Sequence, residues 1–110
     1  MKINVSISSN RELIERATRE QIERALEAIG LQAEGYAKML CPVDTGRLRN
    51  SITHSVDASE QKVYVGSNTS YAAYVEMGTS RTKAQPYLQP AVVNHADEYC
   101  EMAEHFLKNG

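Results

Sequence analysis

The sequence predicts an α+β fold, with a small antiparallel sheet packed with one long N-terminal helix, a short helix and a C-terminal helix. Three observations carry this. Apolar residues alternate at Ile3, Val5 and Ile7, the period of a half-buried strand. From Leu13 onward they step mostly by three and four, the period of one helical face. Further on, two short runs ending near Asp57 and Gly66 flank the polar turn Ala58-Ser59-Glu60, the pattern of a hairpin. The 110 residues read as one domain, 1–110, long enough for one modest core.

The first strand is expected over 2–7. Ser9-Asn10-Arg11-Glu12 then fits a capping box, with Ser at the N-cap and Glu three residues on. A long helix is expected to run to about Leu40. It would bury Leu13, Ala17, Ile22, Ala25, Leu26, Ile29, Ala33, Tyr36, Ala37 and Leu40. Its opposite face pairs Glu12 with Arg16, Glu15 with Arg19 and Glu20 with Arg24, each pair contributing about 0.2–0.5 kcal/mol. Unbroken, such a helix would be roughly 45 Å long. Gly30 and Gly35 each cost about 1 kcal/mol against Ala, so a bend or break is expected there. Pro42 ends the helix, because the residue before proline disfavours the α region.

Asp44 or Thr45 can cap a short helical turn over 46–50, followed by strands near 51–57 and 61–66. Ile52, His54 and Val56 share one strand face, and Val63 and Val65 share another. Residues 71–77 read as a short helix with Gly78 as its left-handed cap. The polar segment 78–85 carries Arg81 and Lys83. It reads as a mobile arm that orders only on a neighbour. Pro86 and Pro90 lead into a last helix over 90–108. Its expected buried stripe is Val92, His95, Ala96, Tyr99, Cys100, Ala103, Phe106 and Leu107, and its outer face is acidic at Asp97, Glu98, Glu101 and Glu104.

Composition narrows the function. Twelve basic and fourteen acidic residues leave a formal charge of −2, with no basic excess to neutralise phosphates, which argues against autonomous nucleic-acid binding. The apolar runs fall short of a membrane span, and Met1-Lys2-Ile3-Asn4 lacks the apolar core of a signal peptide, so a reducing cytoplasm is expected. Cys41 and Cys100 match no metal spacing and read as two reduced, packed thiols. No cofactor is implied.

The candidates for chemistry are thin. Cys41, His54 and Asp44 together invite a thiol nucleophile with its base and acid. However, Cys41 falls at a helix C-terminus, where the dipole opposes a thiolate, and His54 shares its face with aliphatics. His95 and His105 are too far apart on the last helix to form one ligating face for zinc. Glu76 has no recognisable partner for general-base work and reads as a cap or an intersubunit salt bridge. Asp44-Thr45-Gly46 lacks the glycines and lysine of a phosphate loop. Arg47 and Arg49 read equally well as solvated arginines or as subunit contacts.

In order and spacing, four pieces of the chain do form a pattern. They are Pro42-Val43-Asp44-Thr45-Gly46-Arg47-Leu48-Arg49-Asn50-Ser51-Ile52, then Val65-Gly66, then Tyr71-Ala72-Ala73-Tyr74-Val75-Glu76-Met77-Gly78-Thr79, then Ala84-Gln85-Pro86-Tyr87-Leu88-Gln89-Pro90-Ala91. With them the chain resembles the gp-ten-like minor structural proteins of tailed bacteriophages and prophages. Met77 and Tyr87 stand where that family commonly has Phe, and Gln89 where it commonly has Arg. The resemblance implies a non-enzymatic virion protein of the head–tail junction, acting in the neck, in head–tail joining or in tail completion as a ring around the DNA channel.

Implied partners are copies of itself and connector, head-closure or tail-terminator proteins. DNA would be met only as channel contents, and no membrane is involved. The protein would sit in the host cytoplasm during assembly and then in the virion. Subunit contacts are expected from Arg47, Arg49, Glu76, Gly78, Thr79, Arg81 and Lys83. The motif itself is expected to be held by Asp44, Thr45, Gly46, Leu48, Tyr71, Tyr74, Pro86, Tyr87 and Pro90. An acidic face turned to the channel would let the duplex slide. Three alternatives stand beside this reading: a tail-terminator or minor tail protein, a cysteine-dependent enzyme using Cys41, and a peptide-binding module offering an open hairpin edge.

Overall fold

In the computed structural model, which describes residues 1–42 and 46–109, the chain opens with strand β1 (Lys2–Ser6) and helices α1 (Arg11–Arg16) and α2 (Arg19–Leu40). It continues through α3 (Gly46–Ser51), β2 (Thr53–Asp57), β3 (Lys62–Gly66) and α4 (Ala72–Met77), and closes with α5 (Leu88–Val93) and α6 (Ala96–Asn109). The fold is α+β with a long N-terminal helix. Asp44 and Thr45, the expected caps of α3, lie outside the described residues.

Strand β3 is central, antiparallel to β1 on one side and β2 on the other. Ile3 faces Val65 and Val5 faces Val63, while His54 and Val56 face the same two valines from the other side. The alternation of a strand therefore puts these six side chains on one face of the sheet. Helix α2 lies across that face over β2 and β3, with α6 and α5 beside it. It buries Ala25, Leu26, Ile29, Ala33 and Ala37, which meet Val63, Val65, Leu88, Tyr99, Ala103 and Leu107 in one core.

The long helix does break, but at Ala17 and Thr18, both extended, and not at the glycines. The Ser/Thr-x-x-Glu/Gln pattern occurs twice, and the second copy wins. The Thr18 hydroxyl accepts from the Gln21 amide at 3.1 Å and the Gln21 carboxamide accepts from the Thr18 amide at 2.8 Å. At the first copy, Asn10 takes the N-cap position of α1 with no side-chain bond. The break also separates Glu15 from Arg19. Arg19 pairs instead with Glu23 at 3.1 Å, while Arg24 and Glu20 pair as expected at 2.5 Å.

Gly30 and Gly35 stay helical for different reasons. A Cβ on Gly30 would stand 2.6 Å from Val63 Cγ2 and 2.7 Å from His54 Cδ2, so glycine is what lets the sheet approach. A Cβ on Gly35 would meet nothing within 4 Å.

The last helix is also interrupted, between α5 and α6 at Asn94 and His95. The buried face keeps its phase across the interruption, with Ala91, Tyr99, Ala103 and Leu107 at multiples of four. Tyr99, Ala103 and Leu107 are buried as expected, and Val92, His95 and Phe106 are half-buried. Ala96 and Cys100 turn outward, so the expectation of two packed thiols holds for Cys41 and fails for Cys100. Leu40, expected in the core, is also exposed at the end of α2.

These contacts give opposite expectations for two similar substitutions. Gly35→Ala should raise stability by up to about 1 kcal/mol through helix propensity alone. Gly30→Ala should lower it, because Val63 and His54 must move. Urea unfolding of both variants decides this, and a gain in both would refute the packing at Gly30. Leu26→Ala, at a fully buried position, should cost about 2–5 kcal/mol in the same assay.

Candidate functional site

The segment from α4 to α5 is organised by one carboxylate. Ala72 and Glu76 are four residues apart and share the buried face of α4. Glu76 Oε1 accepts from the amides of Tyr87 at 3.0 Å and Leu88 at 2.8 Å, and Oε2 accepts from the amide of Gln89 at 3.1 Å. These are the free donors at the start of α5, which has no cap of its own. Glu76 is therefore a helix cap supplied from eleven residues upstream. Of its two sequence readings, cap and intersubunit salt bridge, the geometry shows the first.

The intervening loop is closed, not open. The Gln85 amide donates to the Val75 carbonyl at 2.8 Å, and the Thr79 amide donates to the Thr82 carbonyl at 2.9 Å. The Thr79 hydroxyl accepts from the amides of Arg81 and Thr82 at 3.2 and 3.0 Å. Gly78 sits at φ 77°, and a Cβ there would stand 2.7 Å from the Ala84 nitrogen, so only glycine fits. The expected mobile arm is thus a loop that holds its own shape. It carries Thr79, Arg81 and Lys83 on its exposed surface.

Beneath it Tyr87 is fully buried and donates its hydroxyl to the Ala72 carbonyl at 3.3 Å. Burial, and then the charge of Glu76, push its phenol up to about 12, so it remains a donor. Tyr71 and Pro90 are half-buried and Pro86 is exposed. Tyr74 and Met77, three apart on α4, are 61% and 66% exposed.

Helix α3 is seated by Leu48, which is fully buried, and Arg47 and Arg49 stand exposed on either side of it. Gly46 begins the helix. Ser51 closes it, donating to the Leu48 carbonyl at 2.6 Å and sharing a 2.5 Å bond with the buried Ser67 hydroxyl. Ser67 in turn holds Thr69, at 3.1 Å. This hydroxyl knot ties α3 to the approach of α4. Sequence reasoning missed it, since isolated serines carry no periodic signal.

His54 is held by two acids of α2. Its Nδ1 lies 2.8 Å from Glu34 and its Nε2 lies 2.6 Å from Glu27, both on α2. Both ring nitrogens are thus engaged by carboxylates. Burial lowers the His54 pKa, but the bonds to Glu34 and Glu27 and their charges outweigh it and hold the pKa above its ordinary value. Burial raises the Glu34 pKa, but its bonds to His54 and Lys38 outweigh that and hold it below its ordinary value.

His95 stacks on Tyr36 at 3.6 Å and 7°. Tyr36 donates to Glu98 at 2.6 Å, so the acid expected on the outer face of the last helix is partly spent against α2. His105 is exposed against the edge of Phe106. No cluster of three or more potential metal ligands exists among the described residues. Among the same residues no helix is long and apolar enough to cross a membrane.

What the fold defines is a small α+β module whose polar side chains hold its elements in place. Residues 7–78 match the family model described as "Bacteriophage HK97-gp10, putative tail-component", and the chain belongs to this family. The match takes in α3, the hairpin and α4, and ends at Gly78, before the loop and α5. Comparison with curated proteins and with solved structures gave no match.

Two outcomes test this geometry. Glu76→Ala leaves three amides near the core without an acceptor and should cost at least about 3 kcal/mol. Glu76→Gln, which keeps one acceptor oxygen, should cost less. Equal, small losses in urea unfolding would refute the cap.

For His54, stabilisation by the clamp is complete below the unfolded-state value of 6.5 and is lost as pH rises through the raised folded value. Stability should therefore fall as pH rises from 6.5 through the raised folded value. His54→Gln should flatten that slope, and an unchanged slope would refute the clamp.

Proposed function

We propose that this chain is a non-enzymatic assembly protein of a phage particle. It would act at the head–tail junction, in the neck or in tail completion, as a ring of copies around the DNA channel. The supporting observation is the closed loop after α4. A self-bonded loop that exposes Arg81 and Lys83 and follows directly on a helix exposing Tyr74 and Met77 supports a preformed contact surface. The tyrosine and methionine supply an apolar centre, and the cations supply a polar rim. Arg47 and Arg49 add two more exposed cations, on opposite sides of α3.

Head-to-tail contacts between unlike surfaces close into rings when their rotation allows it. On this reading the partners are other copies and the connector, head-closure or tail-terminator proteins. The site of action is the host cytoplasm during assembly and the virion afterwards. A tail-terminator role is the second reading, and the description of the family as a tail component favours it.

Replacing residues 79–84 by a Gly/Ser linker tests the proposal. The altered protein should fold, because Glu76 still anchors α5. Particles should accumulate as separate heads and tails in electron micrographs. Normal numbers of joined, infectious particles would overturn the role of this surface. Free heads with completed tails would favour action at the neck. Tails of irregular length would favour the tail terminator.

A further inference from the structure

Charge is segregated in the second half of the chain. From Met77 to Ala96 there is no aspartate or glutamate, and the lysines and arginines are Arg81 and Lys83. From Asp97 to Glu104 the signs reverse: Asp97, Glu98, Glu101 and Glu104 occur with no lysine or arginine among them.

Helix α2 neutralises exposed acids of its own, pairing Glu23 with Arg19, Glu20 with Arg24 and Glu34 with Lys38. Helix α6 does not. Asp97, Glu101 and Glu104 follow one another at steps of four and three, so they line one face, and all three are exposed. That face lies opposite the buried stripe of Tyr99, Ala103 and Leu107. Like charges at such spacings repel, and among the described residues no ion pair relieves these three. The helix dipole favours acids in the first turn, at Asp97 and Glu98, but does nothing for Glu101 and Glu104. Glu98 is already bound by Tyr36. Lys108 ends the same face, exposed and, among the described residues, in no ion pair.

Arg81 and Lys83 are the counterpart. Both are exposed, and neither forms an ion pair among the described residues. The bonds of the Thr79 hydroxyl fix the loop that carries them.

We propose that the acidic face of α6 receives the loop 78–85 of a second copy of this chain, head to tail. Charge complementarity selects that occupant. Arg47 and Arg49 match the stripe less well, because they stand on opposite sides of α3. The apolar parts agree as well. Ala96 and Cys100 are exposed, each one position before an acid of the stripe, and they give the neighbour's exposed Tyr74 and Met77 an apolar seat. The two surfaces are unlike, so each copy uses one on either side, and such contacts close into a ring when their rotation allows it. The inference rests on the proposed ring and deepens it by naming the two faces that meet. Covered in this way, the acidic face does not line the channel.

The probe is the full chain itself, half of it labelled with nitrogen-15, at about 1 mM and low salt, where charge pairing is least screened. A zero-length carbodiimide should join the Lys83 amine to Asp97, Glu101 or Glu104, in products that combine one labelled and one unlabelled chain. Arg81→Glu with Lys83→Glu, and separately Glu101→Lys with Glu104→Lys, should each keep the melting temperature and weaken self-association about tenfold or more in sedimentation. An equal mixture of the two variants should associate again to within about threefold of the original chain, because each then offers the charge that the other lacks.

No association, variants that associate as the original does, or a mixture that stays dissociated would each overturn the pairing. Cross-links between copies that map to other residues would overturn it too, while leaving a ring of copies in place. The role in the particle is judged apart from all of these, by whether heads and tails join.

Discussion

The bond between one buried carboxylate and three main-chain amides decides the shape of the second half of this protein. Burying a charge is costly unless charge-assisted donors surround it. Glu76 meets that condition with the amides of Tyr87, Leu88 and Gln89, which would otherwise be unpaired at the start of α5. Each partner removes the other's desolvation problem. The result locks α4 to α5 across the loop between them. Because the anchoring is done from inside, the loop and the outer face of α4 are free to carry Tyr74, Met77, Arg81 and Lys83 outward.

The first half is held by a different logic. Helix α2 is a spine whose buried side is made of small and medium side chains, so the sheet lies close against it. Gly30 marks the nearest approach, and His54 fills the gap beside it, bound by Glu27 and Glu34. The apolar contacts supply most of the stabilisation. The histidine clamp fixes where the hairpin sits along the helix, as a polar bond at the edge of a core can.

Much of this was legible in the residues, for physical reasons. Periodicity located the strands, the hairpin and α2, because each buries one face over several repeats. The breaks were harder. The capping pattern occurs at both Ser9 and Thr18, and sequence spacing alone does not rank them. Cys100 lies at the border of the buried stripe beside Tyr99 and faces outward, which spacing alone did not separate from a buried position. Gly30 and Gly35 look alike in sequence, and only the approach of β3 and His54 separates them.

In the candidate site, the sequence placed the glycine turn at Gly78 and the cations at Arg81 and Lys83. It left Glu76 between two roles, because the donors it binds are main-chain groups eleven to thirteen residues away. The hydroxyl knot of Ser51, Ser67 and Thr69 left no trace beforehand, being a matter of tertiary contact alone.

On the proposed reading, the preformed loop and the outer face of α4 meet a neighbouring subunit, and membership of a phage tail-component family accords with that. The most direct measurement is a cryo-microscopy map of the assembled particle. The account predicts density for this chain between head and tail, repeated as a ring, with Tyr74, Met77, Arg81 and Lys83 against a neighbouring subunit. A map in which the chain is absent from that junction and from the tail, or in which those four side chains face open solvent in every copy, would contradict it.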